Sequence, residues 1–259
     1  MTLRFLLPPS VGPARALARA ELLDQSLRAD LAEPIEVEVA RNYADLAERA
    51  ERGDAHLVWM PPTLCARLES SVRALYKCQR FGGTTYRSAL VARRGEVSSL
   101  SGLRGKRIAW VDRLSVGGYL LARAEIRSSG LEPNRDLGVQ SFVGSYPQAL
   151  AEVLEGRADA AALTVRDRSS ESLRDALASY GGRRAAEALT GVCVSGESPN
   201  DAIALTHALE LRRAKKLEER VFEREGARAR AALCLALDAE GFVRASPGEY
   251  GALRALMLL

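Results

Sequence analysis

Aromatic residues are scarce in this chain, at 5% of 259 residues, and histidine is scarcer still, with two. Each shortage excludes something. His56 and His207 have no Ser, Cys or Asp neighbour at a useful spacing, so no hydrolase triad is expected. His56 lies inside an apolar stretch and reads as a satisfied core or edge residue, and His207 falls on the first C-terminal helix. The four cysteines (Cys65, Cys78, Cys193, Cys234) show no Cys-x-x-Cys or Cys/His ligand spacing. A zinc site is therefore not expected, and nothing in the spacing asks for a disulfide. No P-loop or Gly-x-Gly-x-x-Gly occurs. Catalytic residues, metal and cofactor are all expected to be none.

Long apolar runs are also missing, so no segment is expected to insert in a membrane. No signal peptide is seen before the first strand, Leu3 to Leu7. The expectation is a cytoplasmic protein as the sequence stands, or a periplasmic one if an export signal was removed. An excess of one charge sign is absent too. The net charge is +4, and basic residues alternate with acids, as in Glu51-Arg52 and Glu218-Glu219-Arg220. The densest run, Arg212-Arg213-Ala214-Lys215-Lys216, sits on an amphipathic helix and reads as a solvated face. No nucleic-acid partner is expected.

What remains is a chain 47% hydrophobic and 27% charged, able to bury a core and long enough for two lobes. Leu3 to Leu7 reads as a strand stopped by Pro8-Pro9, followed by a helix from Pro13 to Ala29 with Leu17, Ala20, Leu23 and Leu27 on one face. Ile35 to Val39 alternates as a half-buried strand. Tyr43 to Arg52 is helical with Gly53 as its stop, and Ala55 to Met60 is a buried strand closed by Pro61-Pro62. The order helix, Gly, Asp-Ala, strand recurs at Leu46 to Pro62 and at Leu150 to Asp167, as two similarly built α/β lobes would give. Chance in an Ala/Glu/Arg-rich chain could produce part of that echo.

Ser88 to Ala92 and Gly191 to Ser195 flank the middle portion as crossing strands. Lobe one is then 1–92 plus 197–259, and lobe two is 93–196. Strands alternating with helices imply mostly parallel sheets flanked by helices, with ligands held beyond the carboxyl ends of the strands, in the cleft between lobes.

The most informative stretch is Ser98 to Leu121. A strand from Arg107 to Val111 enters a tight turn, Asp112 to Ser115, and then a helix opening on Gly117-Gly118. Unpaired N–H groups at such a helix start, backed by the helix dipole, form an anion seat. No Lys or acid stands in a catalytic position in the turn.

Gly83 to Pro133, Phe142 to Leu163 and Ser198-Pro199-Asn200-Asp201, with Asn42 to Pro62, together resemble the phosphonate- and phosphite-type periplasmic solute-binding proteins. The resemblance covers nearly the whole chain. It implies a two-lobed periplasmic-binding-protein-like (type II) α/β fold joined by two crossing strands, closing like a hinge on a small anionic ligand of the phosphonate, phosphate or carboxylate class. The implied partner is an ABC permease if the chain is exported. If it is cytoplasmic, the partner is a regulatory protein and the role that of a sensor. The other readings are a degenerate scaffold that no longer binds, or an enzyme on the same fold.

The family's anion seat reads Ser-Thr-Ser-Gly, whereas here it is Ser115-Val116-Gly117-Gly118. Each hydrogen bond to a charged group that is lost costs about 1.5–3 kcal/mol. Tyr146 stands where the family often has a histidine, and a phenol still donates a hydrogen bond. Arg166 stands where binders of amino-bearing phosphonates place an acid. There it rejects an ammonium and clamps a carboxylate or phosphate, or else it is a loop charge paired with Asp167. Asp201 matches a family acid at the lobe crossing, or serves as a helix cap. In lobe one, Tyr86 matches a cleft-lining tyrosine, and Ser10 and Thr63 follow strands that point into the cleft.

Overall fold

The computed structural model describes residues 2–9, 13–31, 33–223 and 228–257. The chain forms two compact units. The first is built from the N-terminal residues to Pro9, Pro13–Thr85 and Pro199–Arg254, and the body of the second is Tyr86–Ser198.

The first unit contains β1 (Leu3–Leu7), β2 (Ile35–Val39), β3 (Leu57–Met60) and β4 (Val72–Gln79). The second contributes β5 (Thr85–Arg93), β6 (Ile108–Trp110), β7 (Gln140–Phe142), β8 (Ala160–Val165) and β9 (Leu189–Pro199). The chain then returns as β10 (Ala202–Thr206) and β11 (Gly241–Arg244). The first sheet has the order β11-β4-β10-β3-β1-β2 and the second β7-β6-β8-β5-β9.

Each sheet is parallel where helices return the chain, in β2-β1-β3 and in β7-β6-β8. Elsewhere antiparallel strands join: β10, β4 and β11 in the first sheet and β5 in the second. The parallel part of the first sheet is buried, so β1 and β3 read as apolar runs without alternation. In the helix Pro13–Leu31 the buried stripe is Ala16, Ala20, Leu23, Leu27 and Leu31, and Leu17 is 64% exposed. The stripe begins one residue earlier than the expected one, because spacings of three and four from Leu23 lead back to Ala20 and Ala16.

The internal echo corresponds to one structural element in each unit. Helix Tyr43–Glu51 is capped by Asn42, whose side chain accepts from the Asp45 N–H, and it leads through Gly53 (φ 70°) to β3. Helix Tyr146–Leu154 is capped by Ser145, accepting from the Gln148 N–H, and it leads through Gly156 (φ 75°) to β8. The glycines permit the left-handed turn that a side chain would resist.

The chain passes between units at Thr85/Tyr86 and returns at Ser198/Pro199. The expected boundary lay at 92/93 and 196/197. Residues 86–92 belong to the second unit because Arg87 to Ala92 pair in register with Val165 to Ala160. All four cysteines are free thiols, Cys65 and Cys78 being buried.

Candidate functional site

The second unit holds the strand–turn–helix singled out from the sequence. β6 ends at Trp110, and the Asp112 carboxylate then accepts the Leu114 N–H at 2.8 Å while its main-chain carbonyl accepts the Ser115 N–H at 3.0 Å. Burial pushes the Asp112 carboxyl above its ordinary range, against the opposing pull of the Leu114 N–H and the Arg113 charge. The segment Val116–Leu120 follows as a widened turn. Leu120 N–H reaches back five residues to the Ser115 carbonyl at 3.1 Å, and Leu121 N–H reaches the Val116 carbonyl. Five-residue bonds of this kind interrupt ordinary helices frequently at functional sites.

The wide turn frees carbonyls that other groups then take. The Ser88 hydroxyl donates to the Gly117 carbonyl at 2.6 Å, and the Val111 N–H donates to that of Gly118 at 3.2 Å. The hydroxyl of Ser115, a residue 2% exposed, accepts from the Gly118 N–H at 3.0 Å. The N–H groups of Val116 and Gly117 precede the first helical bond, so they have no acceptor within the turn.

Gly117 is enclosed tightly. A Cβ there would meet the Thr164 methyl well inside van der Waals contact, the Tyr86 ring edge at 3.1 Å and the Tyr146 hydroxyl at 3.2 Å. At Gly118 a Cβ would fall 2.5 Å from the Val111 side chain and 2.8 Å from the Ser115 hydroxyl. Glycine is required at both positions for close approach rather than for an unusual φ.

Strand geometry explains why these groups converge. Ser88 and Thr164 are register partners on β5 and β8, so they lie opposite each other on one face. Tyr86, two residues before Ser88, points to that same face. Tyr146 opens the helix that follows the Ser145 cap. On the far side of the turn, Tyr119 packs edge-on between Trp110 and Phe142, with ring centroids 5.3 and 5.2 Å away. The Trp110 indole in turn donates to Gln140 at 2.9 Å.

A family model described as "ABC transporter, phosphonate, periplasmic substrate-binding protein" matches residues 5–250. The chain belongs to that family. Solved structures agree on the fold. The binding protein component of an ABC phosphonate transporter from Pseudomonas aeruginosa superposes with a TM-score of 0.82 at 16% identity, over 99% of this chain and 85% of that one. PhnD1 from Prochlorococcus marinus, in complex with methylphosphonate, gives 0.81 at 17% identity over 98% and 96%. A protein from Xanthomonas citri bound to chloride ion gives 0.77 at 20% identity over 99% and 96%. The two-sheet α/β architecture is thus that of type II periplasmic binding proteins, and the phosphonate family is one of ligand-binding rather than catalytic components. Among the described residues no helix is long and apolar enough to cross a membrane, and no cluster of potential ligands could hold a metal ion.

Of the residues singled out from the sequence of this phosphonate-family protein, Tyr86, Ser115, Val116, Gly117, Gly118 and Tyr146 come together as described above. Arg166 stands in the loop after β8. Its main-chain N–H donates to the Ser172 hydroxyl and its guanidinium to the Asp167 carboxylate, each at 2.9 Å. Hydrogen bonds from Ser169 and Arg166 lower the Asp167 carboxyl to about 2. Ser10 lies outside the described residues.

Thr63 and Asp201 belong to the first unit. Thr63 is 1% exposed in the first turn of the helix Pro62–Leu68. Asp201 caps no helix, contrary to one sequence expectation, because it leads directly into β10. Its carboxylate accepts two hydrogen bonds from Arg80, at 2.7 and 3.0 Å, with others from the Trp59 indole and the Cys78 thiol. Burial pushes this carboxyl up, but Arg80, Trp59 and Cys78 more than offset it, and the net shift is downward. Asn200 beside it donates to the Cys78 carbonyl at 2.8 Å and accepts from the Tyr250 hydroxyl at 2.7 Å. The Ser-Pro-Asn-Asp motif therefore anchors the returning chain.

Sequence reasoning missed Ser88, Thr164 and Tyr180. Thr164 is the one hydroxyl in the otherwise apolar β8, whereas Ser88 shares β5 with Thr85, Tyr86, Arg87 and Arg93 and does not stand out. Tyr180 precedes Gly181-Gly182, an interruption of a long helix that marks a break in direction.

Proposed function

We propose that this chain binds a small oxyanion of the phosphonate, phosphate or carboxylate class at the turn Ser115 to Gly118, between Tyr86 and Tyr146. The observation that carries this reading is the placing of the Tyr146 hydroxyl and the Tyr86 ring edge at Gly117, beside first-turn N–H groups without a helical acceptor. Backbone N–H groups and a phenol are all donors, which suits an anion's oxygens. Tyrosine walls suit an apolar substituent on that anion. Membership of the phosphonate family supports the same ligand class.

Isothermal titration with methylphosphonate, phosphate, sulfate and a dicarboxylate tests the proposal. One of them is expected to bind and to raise the thermal midpoint as its concentration rises. No heat and no shift across the panel would leave the scaffold reading ahead.

The family's description also supports delivery of the ligand to an ABC permease from the periplasm. Cell fractionation of the native gene product tests that assignment. Recovery from the cytoplasm would favour a sensor that works through a regulatory protein.

A further inference from the structure

We propose that Tyr180 is a positioning residue for the seat: through Thr164 and Tyr146 it sets both the floor and the donor at Gly117. The inference rests on the oxyanion reading above and names a residue that meets Thr164 and Tyr146.

The argument begins in the backbone. Helix Ser170–Ala188 is broken at Gly182, whose φ of 70° and ψ of −171° leave the helical region. Tyr180 thus stands in the last turn before the break. Beside it, Gly181 faces Leu150 of the helix Tyr146–Leu154, and a Cβ there would lie 3.1 Å from a Leu150 methyl and closer still to Ala185. The missing side chain lets the two helices approach, which brings the Tyr180 and Tyr146 rings to 4.7 Å between centroids, tilted by 32°. Aromatic pairs at this separation hold one another's orientation.

The Tyr180 hydroxyl then meets the Thr164 hydroxyl at 2.9 Å. Threonine has one hydroxyl and one methyl on Cβ, and a β-branched side chain is stiff at χ1. With the hydroxyl directed to Tyr180, the methyl is the group turned toward Gly117, where a Cβ would strike it. One tyrosine therefore decides that the floor of the seat is a methyl group, and its ring face decides where the Tyr146 hydroxyl stands.

Amide-resolved NMR and titration calorimetry on the full chain test this, with methylphosphonate as probe. In the ligand-free protein, Tyr180→Phe is expected to move the Gly117 and Val116 amide resonances and leave those of the first sheet in place. It should weaken methylphosphonate about three- to tenfold, the range of one lost hydrogen bond. Thr164→Val holds a methyl toward Gly117 without the hydroxyl, so Tyr180→Phe in that background should add little further loss, a coupling read by the double-mutant cycle. Tyr180→Leu, which also removes the stacked ring, should lose more than Tyr180→Phe.

An unmoved Gly117 amide in Tyr180→Phe overturns the proposal. So does full additivity of the two substitutions, or equal affinity in the wild type and Tyr180→Phe. If methylphosphonate perturbs nothing in the wild type, methylphosphonate is not the oxyanion bound, and the ligand-free spectra still decide the role of Tyr180.

Discussion

Ser88 and Thr164 face each other across the antiparallel β5–β8 pair, and both lie against Gly117, one through a hydrogen bond and the other through a methyl group. The pair ties the sheet to the turn that follows β6. A polar and an apolar contact thus fix one glycine from below.

Ser88→Ala removes the donor to the buried Gly117 carbonyl. An unsatisfied buried acceptor costs about 1–3 kcal/mol. Urea unfolding should show that loss of stability, together with weaker oxyanion binding. Stability equal to the wild type would mean that the carbonyl finds another donor.

Gly117→Ala should destabilise by about 1–3 kcal/mol, the usual cost of overpacking. Thr164→Ser deletes the methyl that the new Cβ would strike, so the double variant should recover part of the loss. No recovery in the melting temperature of the double variant would place the clash elsewhere.

Arg80→Met strips Asp201 of its ion partner. The pair is half-buried, and each charge-assisted hydrogen bond lost costs about 1.5–3 kcal/mol. The pair also contributes to acid stability. The Asp201 carboxyl is lowered in the folded chain, so its contribution is full above the ordinary aspartate value of 3.8 and is lost as pH falls below it toward the folded value. Chemical unfolding across pH 5 to 2 should fall more steeply in the wild type than in Arg80→Met, where the carboxylate no longer gains from ionising.

His56 carries a linkage of the same sign at higher pH. Its Nδ1 accepts the Arg4 N–H at 2.9 Å, its Nε2 has no partner among the described residues, and burial together with the Arg4 charge lowers its affinity for a proton. A histidine lowered in the folded state binds more protons unfolded, so stability is lost as pH falls through the ordinary value of 6.5. Melting temperatures between pH 7 and 5 should decline less in His56→Gln than in the wild type. Parallel curves would contradict this.

Arg166→Ala should leave oxyanion affinity within about twofold, since the guanidinium is engaged by Asp167 in a half-buried ion pair. A tenfold loss in titration calorimetry would put the guanidinium in the site.

Much of the fold was legible in the chain. The alternation of strands and helices and the Gly–Asp-Ala echo correspond to structural elements of both units. The strand–turn–helix after Arg107 is also present. Its widened five-residue turn was not legible, because spacing in sequence does not say which carbonyl an N–H will choose. Ser88 and Thr164 looked like ordinary strand residues until their register made them neighbours.

Asp201 shows the same limit from the other side. Its motif read as a ligand contact or a helix cap, but Arg80, Trp59 and Cys78 meet it from distant parts of the chain and engage its carboxylate. By itself the sequence determined the fold class and the order of most elements, though His207, read onto a helix, lies in the turn after β10. These follow from hydrophobic period, glycine stops and turn chemistry, all of which act between near neighbours. Only the tertiary structure decided which side chains surround the Ser115–Gly118 turn and which are spent on internal pairs. Those outcomes depend on strand register and helix approach, set by packing between residues far apart in sequence.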